Sequence, residues 1–432
     1  MDNSSNTPRI PEKWATQFFP MWGGQSISLI GSSLVQFALI WWLTRTTGSA
    51  TVLATASLIA MLPRILLAPF AGALVDRWNR KVVMIVADSL IALATLVLMF
   101  LFATGMESIW AVYLILLIRA AGGAFHYPAQ TASISLMVPK VHLARIAGLN
   151  QTMSGIINIV SPPLGALLIG LLPMEGVLSI DVGTAIIAVS ILAFIKIPQP
   201  PRQLAQANGT AKKTSYWQDM REGWSYMIAW PGLMGVVVMA MAINFLLTPA
   251  GSLFPLMVTK EYNGGVMQLG LVDSLFGIGV IVGGLVLSAW GGFKKRIVTS
   301  MLGIIGMGIG ILAFGLLPSN LFYPALGAVF LLGVMEVMAN GPLDALMQAT
   351  VDPDMQGRVL SLLGAGATAM SPLSLLVAGP ISDWLGVRTW YLIGGGACIL
   401  MTIICLFIPV IMNIEENRQK KPIEAQAGQL PV

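Results

Sequence analysis

Gly72-Ala73-Leu74-Val75-Asp76-Arg77-Trp78-Asn79-Arg80-Lys81 is a tight polar turn between two long apolar runs, one starting near Val52 and the other at Val82. A bilayer's hydrocarbon core of ~30 Å is crossed by about 20 residues of helix, and each run is long enough. Asp76, Arg77, Arg80 and Lys81 therefore stand where the chain leaves a membrane and turns back into it. The rest of the chain repeats that hairpin.

Composition agrees. The chain is 56% hydrophobic and 10% charged, against about 25% charged in soluble domains. Apolar windows place twelve spans at roughly 18–43, 52–75, 82–103, 109–131, 146–172, 179–197, 232–257, 268–290, 297–317, 322–345, 359–383 and 389–411. Residues 1–17 read as a polar, uncleaved tail, with Pro8 and Pro11 and no apolar signal core. Cys398 and Cys405 are seven apart in one span, roughly 10 Å along a helix, so they read as buried thiols rather than a disulfide.

Basic residues set the orientation. With the N-terminus inside, the cytoplasmic segments hold 19 of the 24 Lys and Arg, and the outer loops hold Arg45, Lys260 and Arg388. Both termini are therefore expected in the cytoplasm. The net charge of +5 is this inside bias and points to an anionic leaflet, not nucleic acid, as neighbour.

The chain also repeats itself. Gly72 and Trp78 recur as Gly284 and Trp290, an offset of 212; Val138 and Arg145 recur as Val351 and Arg358, an offset of 213; Ser161-Pro162 recurs as Ser371-Pro372, an offset of 210. The near-constant shift implies two six-helix halves in parallel arrangement. The domains read as a tail (1–17), a first half (18–198), a cytoplasmic linker (199–231), a second half (232–412) and a C-terminal tail (413–432). Within the linker, Tyr216 to Ile228 places Trp217, Met220 and Trp224 on one helical face, as in a helix lying on the membrane surface.

Charge within hydrocarbon costs several kcal/mol, which makes ionisable residues inside spans candidates for function. These are Arg64, Asp88, Arg119, Asp181, Asp273, Glu336, Asp344 and Asp383. Asp181, Asp273 and Asp383 are expected within a turn or two of the outer surface. Arg64 and Asp88 flank the 72–81 turn at depths differing by about 2 Å, as a structural pair would.

The turn resembles the signature of the major facilitator superfamily, Gly-x-Leu-x-Asp-Arg-x-Gly-Arg-Lys. Asn79 alone departs, standing where Gly is usual, and Asn tolerates a left-handed turn well. Arg119-Ala-Ala-Gly-Gly123 is similar to the family's span 4 motif. Ser161-Pro162-Pro163-Leu164-Gly165 is similar to the exporter signature Gly-Pro-x-x-Gly-Gly, although an ordinary proline kink would look the same. Leu62-Pro63-Arg64 to Pro69, Ala124-Phe125-His126-Tyr127-Pro128-Ala129, Asp181-x-x-Thr184, Glu222-Gly223-Trp224 and Asn340-Gly341-Pro342 carry a resemblance to the drug:proton antiporter branch that contains bacterial macrolide-efflux proteins.

The resemblance implies an all-α integral membrane fold of twelve transmembrane helices in two pseudo-symmetric halves. It implies a monomeric secondary transporter moving a small amphipathic molecule against protons in a lipid bilayer. Glu336, Arg119, Asp88 and Asp273 become the candidates for proton coupling. The offset maps Arg119 to position 332, one turn from Glu336, so the two would lie on equivalent faces across a central cavity; alternatively each pairs within its own half. Gly72, Asp76, Arg77, Arg80 and Lys81, together with Arg358, form the implied cytoplasmic gate, and Ser161, Pro162 and Gly165 the helix-kink motif. Branch members also export siderophores or move lysophospholipids, so the cargo stays open.

An enzyme is disfavoured. The two histidines, His126 and His142, belong to no cluster with metal-ligand spacing. The Gly-rich stretches Gly303–Gly310 and Gly394–Gly396 lie inside spans, lack a following Lys-Ser/Thr, and suit close helix packing. No cofactor or metal is expected.

Overall fold

A bilayer offers no water to backbone N–H and C=O groups, so a crossing segment must satisfy them within itself, as a helix does. The computed structural model describes residues 14–199 and 216–415, and there the expectation is met: the described residues are helices joined by short turns, without a strand. The helices are α1 Trp14–Thr47, α2 Ala50–Arg77, α3 Arg80–Ala103, α4 Ile109–Met137, α5 Leu143–Leu171, α6 Met174–Phe194, α7 Tyr216–Ile228, α8 Pro231–Ser252, the one-turn α9 Phe254–Leu256, α10 Val266–Trp290, α11 Arg296–Leu316, α12 Phe322–Thr350, α13 Pro353–Leu385, α14 Val387–Leu406 and the short α15 Pro409–Met412. Among the described residues, twelve helices are long and apolar enough to cross a membrane. Large apolar side chains lie fully outward, Phe194 at 90% exposure and Trp384 at 83%, as on helices that face lipid.

Of the described residues, 14–48, 55–199 and 265–271 form one compact unit, and 49–54, 216–264 and 272–415 form the other. The first unit buries Phe18, Met21, Val75, Met84, Met137 and Leu192 in one cluster. The second buries Met227, Val236, Met301, Leu346, Cys398 and Ile414. Both cysteines are free and buried.

Each unit carries the same hydrogen bond at corresponding places. Arg80 Nη1 donates to the Ala132 carbonyl at 3.1 Å, and Arg296 Nη1 donates to the Ala345 carbonyl at 3.0 Å. Both arginines open their helices, α3 and α11, and each ties its helix to the long helix that follows it.

The turn between α2 and α3 differs from its sequence reading in one respect. Asn79 is extended, at φ −69° and ψ 111°, rather than left-handed. Its side-chain oxygen accepts from the Lys81 and Val82 amides at 3.1 and 3.4 Å. Asn stands there as an N-cap for α3, satisfying amides that the helix itself leaves unpaired.

In the second unit, glycines let helices approach to backbone contact. A Cβ on Gly283 of α10 would lie 2.6 Å from the Val334 carbonyl oxygen, and one on Gly303 of α11 would lie 2.7 Å from the Ala339 Cα. Helix α12 is therefore gripped from both sides. A Cβ on Gly395 would likewise lie 2.8 Å from the Gly308 carbonyl oxygen, in keeping with the packing role read for both Gly-rich stretches.

The linker helix α7 docks more firmly on protein than a purely interfacial helix would. Met227 is fully buried, Gly223 packs on Leu362 and Arg358 of α13, and the Tyr226 hydroxyl donates to Asp352 at 3.0 Å. Trp224 remains exposed. The Trp217 side chain and residues 200–215 lie outside the described structure.

Candidate functional site

Helices α8, α10, α11 and α12 enclose a cavity of about 440 Å³ in the second unit. Its wall is mainly apolar, with Met239, Ile243, Phe276, Met307 and Leu332, and its polar groups are Asn244, Thr248, Asn340 and the carboxylates of Asp273 and Glu336. No Lys, Arg or His is among its lining residues. Neither carboxylate has a hydrogen-bonded or ionic partner among the described residues. The close grip of α10 on α12 brings the two acids to one cavity. Asp273, expected within a turn or two of the outer surface, stands seven residues into α10 and lines this cavity together with Glu336.

The first unit is built oppositely, with its charges paired. Arg119 on α4 forms a hydrogen-bonded ion pair with Asp181 on α6 and also reaches Thr95 Oγ1. Asp181 further accepts from Ser32 Oγ and Thr95 Oγ1, each at 2.9 Å. Asp181 is 1% exposed, so packing closes it off even though it stands within about two turns of its helix end. It stands seven residues into α6 and faces α1, α3 and α4 rather than the surface. A Cβ at Gly31 would press on the Asp181 Cα at 3.3 Å, so glycine lets α1 close over the pair. Arg119 is thus committed within its own half, the alternative the sequence left open.

Asp88 has different partners from the one expected. Gln25 Nε2 donates to Asp88 Oδ2 at 3.0 Å, and His126 Nε2 lies 3.2 Å from Asp88 Oδ1. Arg64 is exposed and lies over the Tyr127 ring, 5.4 Å from its centroid. Equal depth does not bring two residues together when their helices turn them to different neighbours; α3 packs on α4 and α6. Asp383 also has a partner set: it accepts from Ser49 Oγ, the Ala50 amide and the Thr51 amide at 2.6–2.9 Å, capping the start of α2.

Of the gate residues, Arg77 is exposed and Gly72 half-buried. Arg80 is buried against Ala132, and Lys81 Nζ donates to the Ala193 carbonyl at 2.8 Å. Arg358 donates to Glu222 of α7 at 2.7 Å. The Asp76 side chain lies outside the described structure. In α5, Pro162 and Pro163 sit inside a continuous helix, Ser161 is buried, and a Cβ on Gly165 would meet the Phe37 ring at 2.9 Å.

His126 was not selected from the sequence. A signal was present: it lies seven residues from Arg119, two turns on, and so on the same helical face. Asn244 and Thr248, one turn apart on α8, were missed for a plainer reason, since neutral side chains in a span carry no charge signal.

Residues 21–362 and 233–431 match the sequence model of the Major Facilitator Superfamily. Macrolide efflux protein A of Streptococcus pyogenes is 34% identical over 403 residues, covering 93% of this chain and 98% of that protein. Multidrug efflux pump Tap of Mycolicibacterium fortuitum is 25% identical over 404 residues, covering 89% and 94%. Among solved structures, a bacterial homologue of the iron transporter ferroportin in an inward-facing state superposes with a TM-score of 0.67 at 17% identity, covering 89% of this chain and 97% of that one. At that identity the likeness concerns the fold.

Proposed function

The chain belongs to the major facilitator superfamily, and on that premise we propose that it exports amphipathic, macrolide-type compounds in exchange for protons. The observation that carries this reading is the second-unit cavity: an apolar, methionine-containing wall with two carboxylates and no basic residue lining it. An apolar wall with flexible Met side chains accepts varied amphipathic shapes. A carboxylate there can be neutralised by a proton or by a basic group on the cargo, and competition between the two is what an antiporter needs.

Glu336 is the proton carrier in this reading, and Asp273 is the second acid of the same site. The Asp76 turn, with Arg77, Arg80, Lys81 and Arg358, is the cytoplasmic gate. Orientation follows the basic-residue bias, with both termini cytoplasmic in a bacterial plasma membrane and the chain acting as a monomer.

Glu336→Gln tests it, because the amide holds the neutral form while keeping the shape. In proteoliposomes loaded with a radiolabelled macrolide, the variant should lose efflux driven by a pH gradient yet still exchange labelled for unlabelled macrolide without one. Uphill pumping at the wild-type rate would move the proton site away from Glu336. Absence of macrolide exchange by the wild type would overturn the cargo assignment.

A further inference from the structure

Proton entry through Glu336 leaves the Asp88–His126 pair of the first unit without a duty, although both side chains are buried. The pair sits where α3 and α4 approach closely: a Cβ on Gly122 would meet Ile91 Cγ1 at 2.9 Å. His126 Nε2 is 3.2 Å from Asp88 Oδ1, within ion-pair reach, but makes no aligned hydrogen bond. His126 also lines two cavities of the same unit. One, of about 280 Å³, is shared with Asp88 and Arg119; the other, of about 780 Å³, is shared with Arg64, Tyr127 and Asn150.

Charge balance gives the pair its chemistry. The ionisable groups around His126 are Asp88 on α3, Arg119 on its own helix, Asp181 on α6 behind Arg119, Arg64 on α2 and Tyr127 beside it. Helices α1 and α5 bring neutral groups, Gln25 and Ser26 from one and Asn150 and Gln151 from the other. Arg119 is matched by Asp181, and Arg64 lies over the Tyr127 ring. With a neutral imidazole, the buried Arg119, Asp181, Asp88 and His126 together carry one uncompensated negative charge. An uncompensated buried charge is expensive, and one proton on the imidazole removes it.

We propose that His126, with Asp88 as its counter-ion, is a second proton-binding site, serving the two cavities of the first unit. A proton from water in one cavity adds to the unprotonated ring nitrogen, giving an imidazolium beside the Asp88 carboxylate. Its loss to water in the other cavity restores the neutral ring. The duty in transport rests on the proton-driven reading above.

The sequence makes the test direct, since His126 and His142 are its two histidines. His142 stacks on Trp14, with ring centroids 5.4 Å apart, and can be removed as His142→Gln. In that full-length background, labelled with ¹⁵N-histidine, ring-nitrogen NMR reads His126 alone. The ring should pass reversibly from neutral to doubly protonated as the pH is lowered over the range in which the protein stays folded. Asp88→Asn should abolish the doubly protonated signature over that range. A ring that stays neutral throughout, or that titrates identically in Asp88→Asn, overturns the proposal. In proteoliposomes, His126→Gln should remove the stimulation of macrolide efflux by a pH gradient, and full stimulation would overturn the transport role. A wild type indifferent to the gradient would sink the proton-driven reading instead, while the ring titration would still decide whether His126 binds a proton.

Discussion

Asp181 and Glu336 show how the same chemical group is placed in opposite surroundings by its neighbours. Asp181 is held by Arg119, Ser32 and Thr95 and is 1% exposed. A buried carboxylate satisfied in this way is a structural device, and removing one member of such a pair costs about 3–5 kcal/mol because the other is left unpaired. Asp181→Asn should therefore lower the detergent melting temperature and the yield of folded protein, and Arg119→Ala should do the same. The double change Asp181→Leu with Arg119→Met should recover stability above either single change, which a double-mutant cycle of melting temperatures would measure. Additive losses would mean that the pair does not couple. Glu336 lines a cavity without a partner among the described residues, so Glu336→Gln is expected to alter transport while sparing the fold.

Among the elements, α12 matters most, because it carries Glu336 and is set by glycines on the helices beside it. The atoms facing Gly283 are backbone atoms of Val334, with the carbonyl oxygen 2.6 Å from where a Cβ would lie. Backbone cannot move aside as a side chain can. Gly283→Val should therefore push α10 off α12 and separate Asp273 from Glu336, with loss of macrolide exchange and a lower melting temperature. Gly284→Val, whose added Cβ would meet nothing within 4 Å, is the control and should retain both. Equal behaviour of the two variants would show that helix contact at this seam does not hold the site. In the linker helix packing adds to pattern: amphipathicity suggested a surface helix, and Met227 and Gly223 also fix it to α8 and α13.

For the whole molecule, the quantity to test is orientation. With 19 basic residues assigned to one side and three to the other, a cytoplasm-active reporter should function after Gln206 or Arg418, and a periplasm-active reporter after Gly105 or Pro318. Activity of the periplasmic reporter at 206 would reverse the topology, and the gate assigned to the Asp76 turn would then face the wrong compartment.

Spans, repeat and family were legible in the sequence because each depends on local information. A crossing helix satisfies its own backbone and needs only about 20 apolar residues in a row. The motif at 72–81 and its offset copy at 284–296 need no knowledge of neighbours either. Rise per residue gives each charge its place along a helix, but not its direction, and direction decides the chemistry. Asp88 meets His126 and Gln25 rather than Arg64, Arg119 meets Asp181, and Asp273 joins Glu336 in one cavity. Those pairings depend on how each helix is rotated about its axis and on which helix lies beside it. Contacts between residues far apart in the chain set both, above all where glycine allows backbones to touch, and only the tertiary structure determined them.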